Sequence, residues 1–154
     1  MKKLVVSLVM LVTVLGTALA SDGTKVNSRV ESAFKKEFAG AKSVKWEVLK
    51  KSNLFQAHFI YNNERLNAFF DAEGNLVATG RFVAATSLPL LLRKNVYGKY
   101  KDYQVKDVIE YVQGQETSYL VALENEKTRL LVRGYISGSA YILKKEKKNS
   151  LEKL

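Results

Sequence analysis

From Val26 onward the chain switches between two hydrophobic periods. Val26, Val30, Ala33, Phe34 and Phe38 recur at helical spacing, with Lys35 and Lys36 off the stripe. That pattern predicts an amphipathic helix. Ser28-x-x-Glu31 predicts its capping box, and Gly40 its end. Strict alternation follows in Val44 to Val48, Phe55 to Tyr61, Leu66 to Phe70 and Leu76 to Val83. These are predicted strands, separated by turns at 50–53, 62–63 and 71–75. Leu88, Leu91, Leu92 and Val96 form a second helical stripe, capped at Thr86-Ser87, with Pro89 in its first turn. Strands are then predicted at Tyr103 to Val112, Ser118 to Leu123, Arg129 to Gly134 and Ala140 to Leu143. Lys144 onward reads as a solvated charge run.

A shift of 64 residues lays part of the chain on itself. Val44 falls on Val108, Phe55 on Tyr119, Phe59 on Leu123, Arg65 on Arg129 and Gly74 on Gly138. The expected fold is therefore α+β: a tandem repeat of helix plus antiparallel strands. Strands joined by short turns pair antiparallel, and a helix with one apolar stripe must lie on a sheet. The expectation is one antiparallel sheet with two helices on one face. The repeats are placed at 21–86 and 87–143, after a leader at 1–20 and before a Lys-rich tail at 144–154.

Three stretches carry a resemblance. They are Phe38-Ala-Gly-Ala-Lys-Ser-Val-Lys-Trp46-Glu47, Phe70-Asp-Ala-Glu-Gly-Asn-Leu76 and Ser87-Leu88-Pro89. The sequence resembles the PepSY-like, beta-lactamase-inhibitor-like family of exported bacterial proteins, which often has Pro where this chain has Ala39. The resemblance implies tandem helix-plus-sheet units and a secreted or periplasmic location. The family's name reflects fold similarity to an inhibitor and does not by itself imply inhibition.

The start of the chain points the same way. Lys2 and Lys3 precede an apolar run from Leu4 to Gly16, and Ala18-Leu19-Ala20 precedes Ser21. This is the order of a cleaved export signal, so a periplasmic or secreted product with no stable membrane span is expected. Loss of both lysines lowers the formal charge from +10 to +8. A basic exported protein is drawn to anionic surfaces and acidic proteins, and nucleic acid is not an expected partner.

Composition removes most chemistry. The absence of Cys excludes disulfides, thiolate metal sites and a Cys nucleophile, and a single His excludes a His-pair metal site. His58 lies mid-strand, opposite Phe55, Ala57 and Phe59. As a general base it would need a nucleophile and an orienting carboxylate, so it is read as a polar residue of the sheet face. Asp71-x-Glu73-Gly74-Asn75 resembles the start of a calcium loop but lacks the ligand ladder and distal Glu, and is read as a turn. No cofactor or metal and no enzymatic activity is expected, and no carboxylate pair is marked out for hydrolysis.

The candidate binding residues are Trp46, His58, Asn67, Phe69, Arg133 and Tyr135. Trp46 alternates with Val44 and Val48, which fits core packing or a recognition anchor. The other five fall opposite the helix-bearing face. Phe69, Tyr135 and Arg133 are expected to be anchors whose loss spares stability. The leading reading is a non-catalytic exported binding module that inhibits or senses an envelope protein through this sheet face. The alternative is a basic adaptor that holds anionic envelope components through its Lys-rich tail.

Overall fold

A computed structural model describes residues 25–148. The expected leader and the last residues of the expected tail lie outside the described residues. Helix α1 spans Ser28–Glu37 and buries Val30 and Phe34, the centre of the predicted stripe. Its cap is Asn27 rather than Ser28: Asn27 Oδ1 accepts a 2.9 Å hydrogen bond from the Val30 N–H. Asn27 Nδ2 donates to the Ala72 carbonyl at 3.0 Å, so one side chain both starts the helix and ties it to a distant turn.

Four strands follow: β1 (Lys42–Leu49), β2 (Leu54–Tyr61), β3 (Glu64–Phe70) and β4 (Leu76–Val83). Asn62 and Asn63 both take positive φ, 50° and 65°, the geometry a two-residue hairpin turn demands. A short 3-10 turn at Ala85–Ser87 leads to α2 (Leu90–Lys99), with Pro89 at its N-cap. Then come β5 (Gln104–Gln113), β6 (Glu116–Glu124), β7 (Thr128–Tyr135) and β8 (Ala140–Lys147). All eight strands form one sheet in chain order, every neighbouring pair antiparallel.

This corrects the expected tandem helix-plus-strand repeat. The chain builds one eight-stranded antiparallel sheet, with two ten-residue helices as attachments. The ladder runs unbroken through the centre, where β4 pairs β5 from Thr79↔Val112 to Val83↔Val108. Alternating strands match one another at many shifts, because period two repeats itself; similarity at one shift does not require separate units.

Two local expectations also change. Lys144–Lys147 are not tail but the end of β8, paired with Thr128 to Leu131. The open edge of β7 offers a ladder to Lys144-Lys145-Glu146-Lys147, and charge on the new edge suits a terminal strand. In α2, Leu92 and Val96 are buried as expected, but Leu91 faces outward.

Both helices pack on the same face. Phe59, Leu66, Arg81, Glu110 and Tyr119 follow one another across β2 to β6, so they share a side. On it α1 covers Ala57, Phe59, Ala68 and Phe70, and α2 covers Val108, Tyr119, Val121 and Val132. Phe34 meets Phe59 edge-on at 4.9 Å and Trp46 at 5.2 Å, an arrangement that ring quadrupoles favour. Gly134 lets α2 sit directly on β7. A Cβ there would overlap Leu92 Cδ1 and stand 2.7 Å from its Cδ2.

Gly134→Ala is therefore expected to destabilise by about 1–3 kcal/mol through overpacking. The cost should shrink in a Leu92→Ala background, where the clash is gone. Chemical denaturation of the four-member cycle checks this.

Candidate recognition face

Among the described residues the opposite face carries no helix, yet its centre is buried. Gln56, Asn67, Phe69, Ala78, Ile109, Tyr111, Ser118 and Leu120 all lie on it and are nearly inaccessible. Residues on a flat, uncovered sheet keep much of their surface. Burial of this depth requires the sheet to curl so that its own side chains cover one another. Leu54, Phe69, Ala78 and Tyr111 form that inner cluster, with Phe69 edge-on to Tyr111 at 5.7 Å.

One row crosses six strands: His58, Asn67, Gly80, Tyr111, Ser118 and Tyr135. Gly80 keeps the middle of this row low. A Cβ there would lie 3.2 Å from Ile109 Cγ2 and 3.6 Å from Asn67 Cβ. At one end, His58 Nδ1 and Asn67 Oδ1 are 2.8 Å apart, and His58 Nε2 lies 3.6 Å from Glu47. The half-exposed imidazole is thus placed between an amide and a carboxylate, with no hydroxyl or thiol in the set. This is an orienting network rather than a nucleophile–base pair.

The other end is richer in tyrosine. Arg133 pairs with Leu120 on β6 and Tyr141 on β8, and its guanidinium lies 5.8 Å from the Tyr111 ring centre. Among the described residues no carboxylate pairs with it, and its Nε is enclosed without an acceptor. The Tyr111 hydroxyl is likewise buried without a partner, and burial pushes its phenol up to about 12. Tyr135 and Tyr141 bring their hydroxyls within 3.3 Å of each other. That hydrogen bond, with partial burial, raises the Tyr135 phenol above its ordinary range. The arrangement is an unpaired cation flanked by three phenols. It can receive an acidic or carbonyl-bearing surface.

The predicted residues divide clearly. His58, Asn67, Phe69, Arg133 and Tyr135 share this face. Trp46 does not: it lies on the helix side, packed against Phe34 and 6.3 Å from Phe70. Phe69 is on the expected face but is 1% exposed, so it is a core ring and not a contact anchor. Tyr111, Ser118 and Tyr141 lie on the same face and were absent from the predicted set. The alternation of Ile109 with Tyr111 was the available signal for Tyr111. Tyr141 had only its place in the last strand. The Asp71 carboxylate is used within its own turn, accepting from the Asn75 N–H at 2.8 Å and the Glu73 N–H at 3.1 Å. No cluster of metal-ligating side chains occurs among the described residues.

No family model matches the sequence, and no curated protein matches it. The fold, however, has solved counterparts. A Bacteroides eggerthii protein provisionally described as periplasmic superposes with a TM-score of 0.69 at 14% identity, over 80% of this chain and 89% of its own. A BLIP-like protein of Bacteroides fragilis gives 0.61 at 21% identity, over 82% and 89%. A DUF2874 family protein of Bacteroides uniformis gives 0.68 at 16% identity, over 80% and 90%. At these identities the likeness is one of fold. One neighbour carries the BLIP-like description, and none of these three bears the PepSY description.

The burial contrast on this face predicts two different costs. Phe69→Ala should lose about 3–5 kcal/mol, the range for a truncated core ring. Tyr135→Ala should lose no more than about 1 kcal/mol, as for a surface change. Denaturation midpoints of the two single variants check this.

Proposed function

We propose that the chain is a non-catalytic exported binding module, periplasmic or secreted, whose curled face holds a protein of the cell envelope. The observation that carries this reading is the unpaired Arg133 beside Tyr111, Tyr135 and Tyr141 on an uncovered face. Arg and Tyr are the residue types that dominate binding energy once a partner excludes water from them. The export signal expected at the start of the sequence and the periplasmic description of the Bacteroides eggerthii neighbour support the location. The BLIP-like neighbour supports protein binding as the mode, in which the bound protein would be inhibited or sensed.

The Lys-rich end fits the alternative less well. Lys148 is held by Glu124 and by the Asn125 carbonyl, and Lys144 by Glu146. Two of the four described lysines of that segment are thus already engaged by carboxylates of the chain.

A photo-crosslinking residue placed at Tyr135 or at Tyr141 should capture an envelope protein, while one at Lys36 on the outside of α1 should not. Arg133→Gln should lower capture at least tenfold while moving the melting midpoint by only a few degrees. Capture from Lys36 alone, or capture indifferent to Arg133, would sink the reading.

A further inference from the structure

A second surface is built differently. The outer side of α1 carries Arg29, Lys35 and Lys36, as a solvated helix should. The outer side of α2 instead carries Leu90, Leu91 and Tyr97, which leaves apolar residues on both its faces. Leu90, Lys94 and Tyr97 follow at i, i+4 and i+7, so they form one outward ridge. The β7–β8 turn is fixed beside its first turns. Asn95 Nδ2 donates to the Gly138 carbonyl at 2.7 Å, and a Cβ on Gly138 would lie 3.0 Å from Leu91 Cβ. This holds Ile136 at the same end. Ile136 is 72% exposed, Leu90 62% and Leu91 58%, the three most exposed large apolar side chains among the described residues.

The two segments that build this tip carry charge of one sign, with Glu116 of the neighbouring β6 as the acid near Tyr135. Between Val83 and Lys101 the sequence has no Asp or Glu but has Arg93, Lys94, Lys99 and Lys101. Between Leu130 and Lys145 it again has no acid. Projecting aliphatic side chains inside a basic surround are the marks of a segment that lies in a membrane interface. Protein hot spots, by contrast, favour aromatic and Arg anchors seated in pockets. A second copy of the chain is a poor occupant, since each would bring the same positive end.

We propose that this end of the molecule docks on an anionic phospholipid surface. Leu90, Leu91 and Ile136 enter the interface, and Arg93 and Lys94 face the phosphates. The contact uses a surface distinct from the curled face, so the face beside Arg133 stays open to a protein while the molecule is held at the membrane.

The test uses protein recovered from the envelope of an exporting host. It is mixed with vesicles of phosphatidylcholine alone, or with about one-third phosphatidylglycerol, at low and high salt, and bound protein is measured by flotation. Binding should need the anionic lipid and weaken with salt. Leu90→Gln combined with Ile136→Ser should reduce it at least tenfold, with an unchanged melting midpoint because both side chains are already in water. Arg93→Gln with Lys94→Gln should also reduce it. Equal binding to both vesicle types would overturn the proposal. So would full binding by the Leu90/Ile136 variant, which would mean that charge elsewhere holds the protein. Binding only to vesicles that carry envelope proteins would assign the tip to a protein partner and overturn it as well.

Discussion

Two ten-residue helices can shield one face of an eight-stranded sheet, but not both. Most of what this molecule can do follows from that shortage of cover. On the shielded side, α1 and α2 supply the second layer that apolar strand residues require. On the other side the described residues supply no second layer, and the sheet curls until Leu54, Phe69, Ala78 and Tyr111 cover one another. The price is a set of polar groups caught in that closure. The Tyr111 hydroxyl and Arg133 Nε are enclosed without partners, a state that costs free energy unless something outside the chain completes it.

The proposed recognition face is thus a by-product of how the sheet solves its burial problem. Antiparallel pairing in chain order gathers side chains from β2 to β8 onto one continuous face. It leaves His58 and Glu47 at one side, and Arg133, Tyr135 and Tyr141 at the other. A partner that covers the tyrosine side would desolvate an unpaired cation, which strengthens any complementary charge it meets. Helix α2 packs on the opposite face of the sheet, so the two proposed contacts use different residues.

Much of this was legible from alternation and periodicity. The helix stripe of Val30 and Phe34, the Asn62-Asn63 turn and the face shared by His58, Asn67, Arg133 and Tyr135 all follow from local rules. What failed was non-local. Alternation assigns a residue to a face but says nothing of curvature, so Phe69 was read as exposed when it is the floor. Trp46 was ambiguous because an edge-strand residue is core only if a helix reaches it, and Phe34 does. Leu91 fitted the α2 stripe by spacing, but Leu92 and Val96 take the buried positions and leave it outside. The same period-two signal that located the strands also imitated a repeat, where the chain forms one ladder. Lys144–Lys147 looked like tail because their charge masks a strand that the edge of β7 stabilises.

The central claim is that the curled face is the working surface. Hydroxyl-radical footprinting of the protein in intact envelopes and in purified form tests it most directly. The account predicts that Tyr135 and Tyr141 react less in the envelope than in the purified protein, while Phe69 is unreactive in both. Equal reactivity of the two tyrosines in both settings, with protection appearing only on the outside of α1, would contradict it.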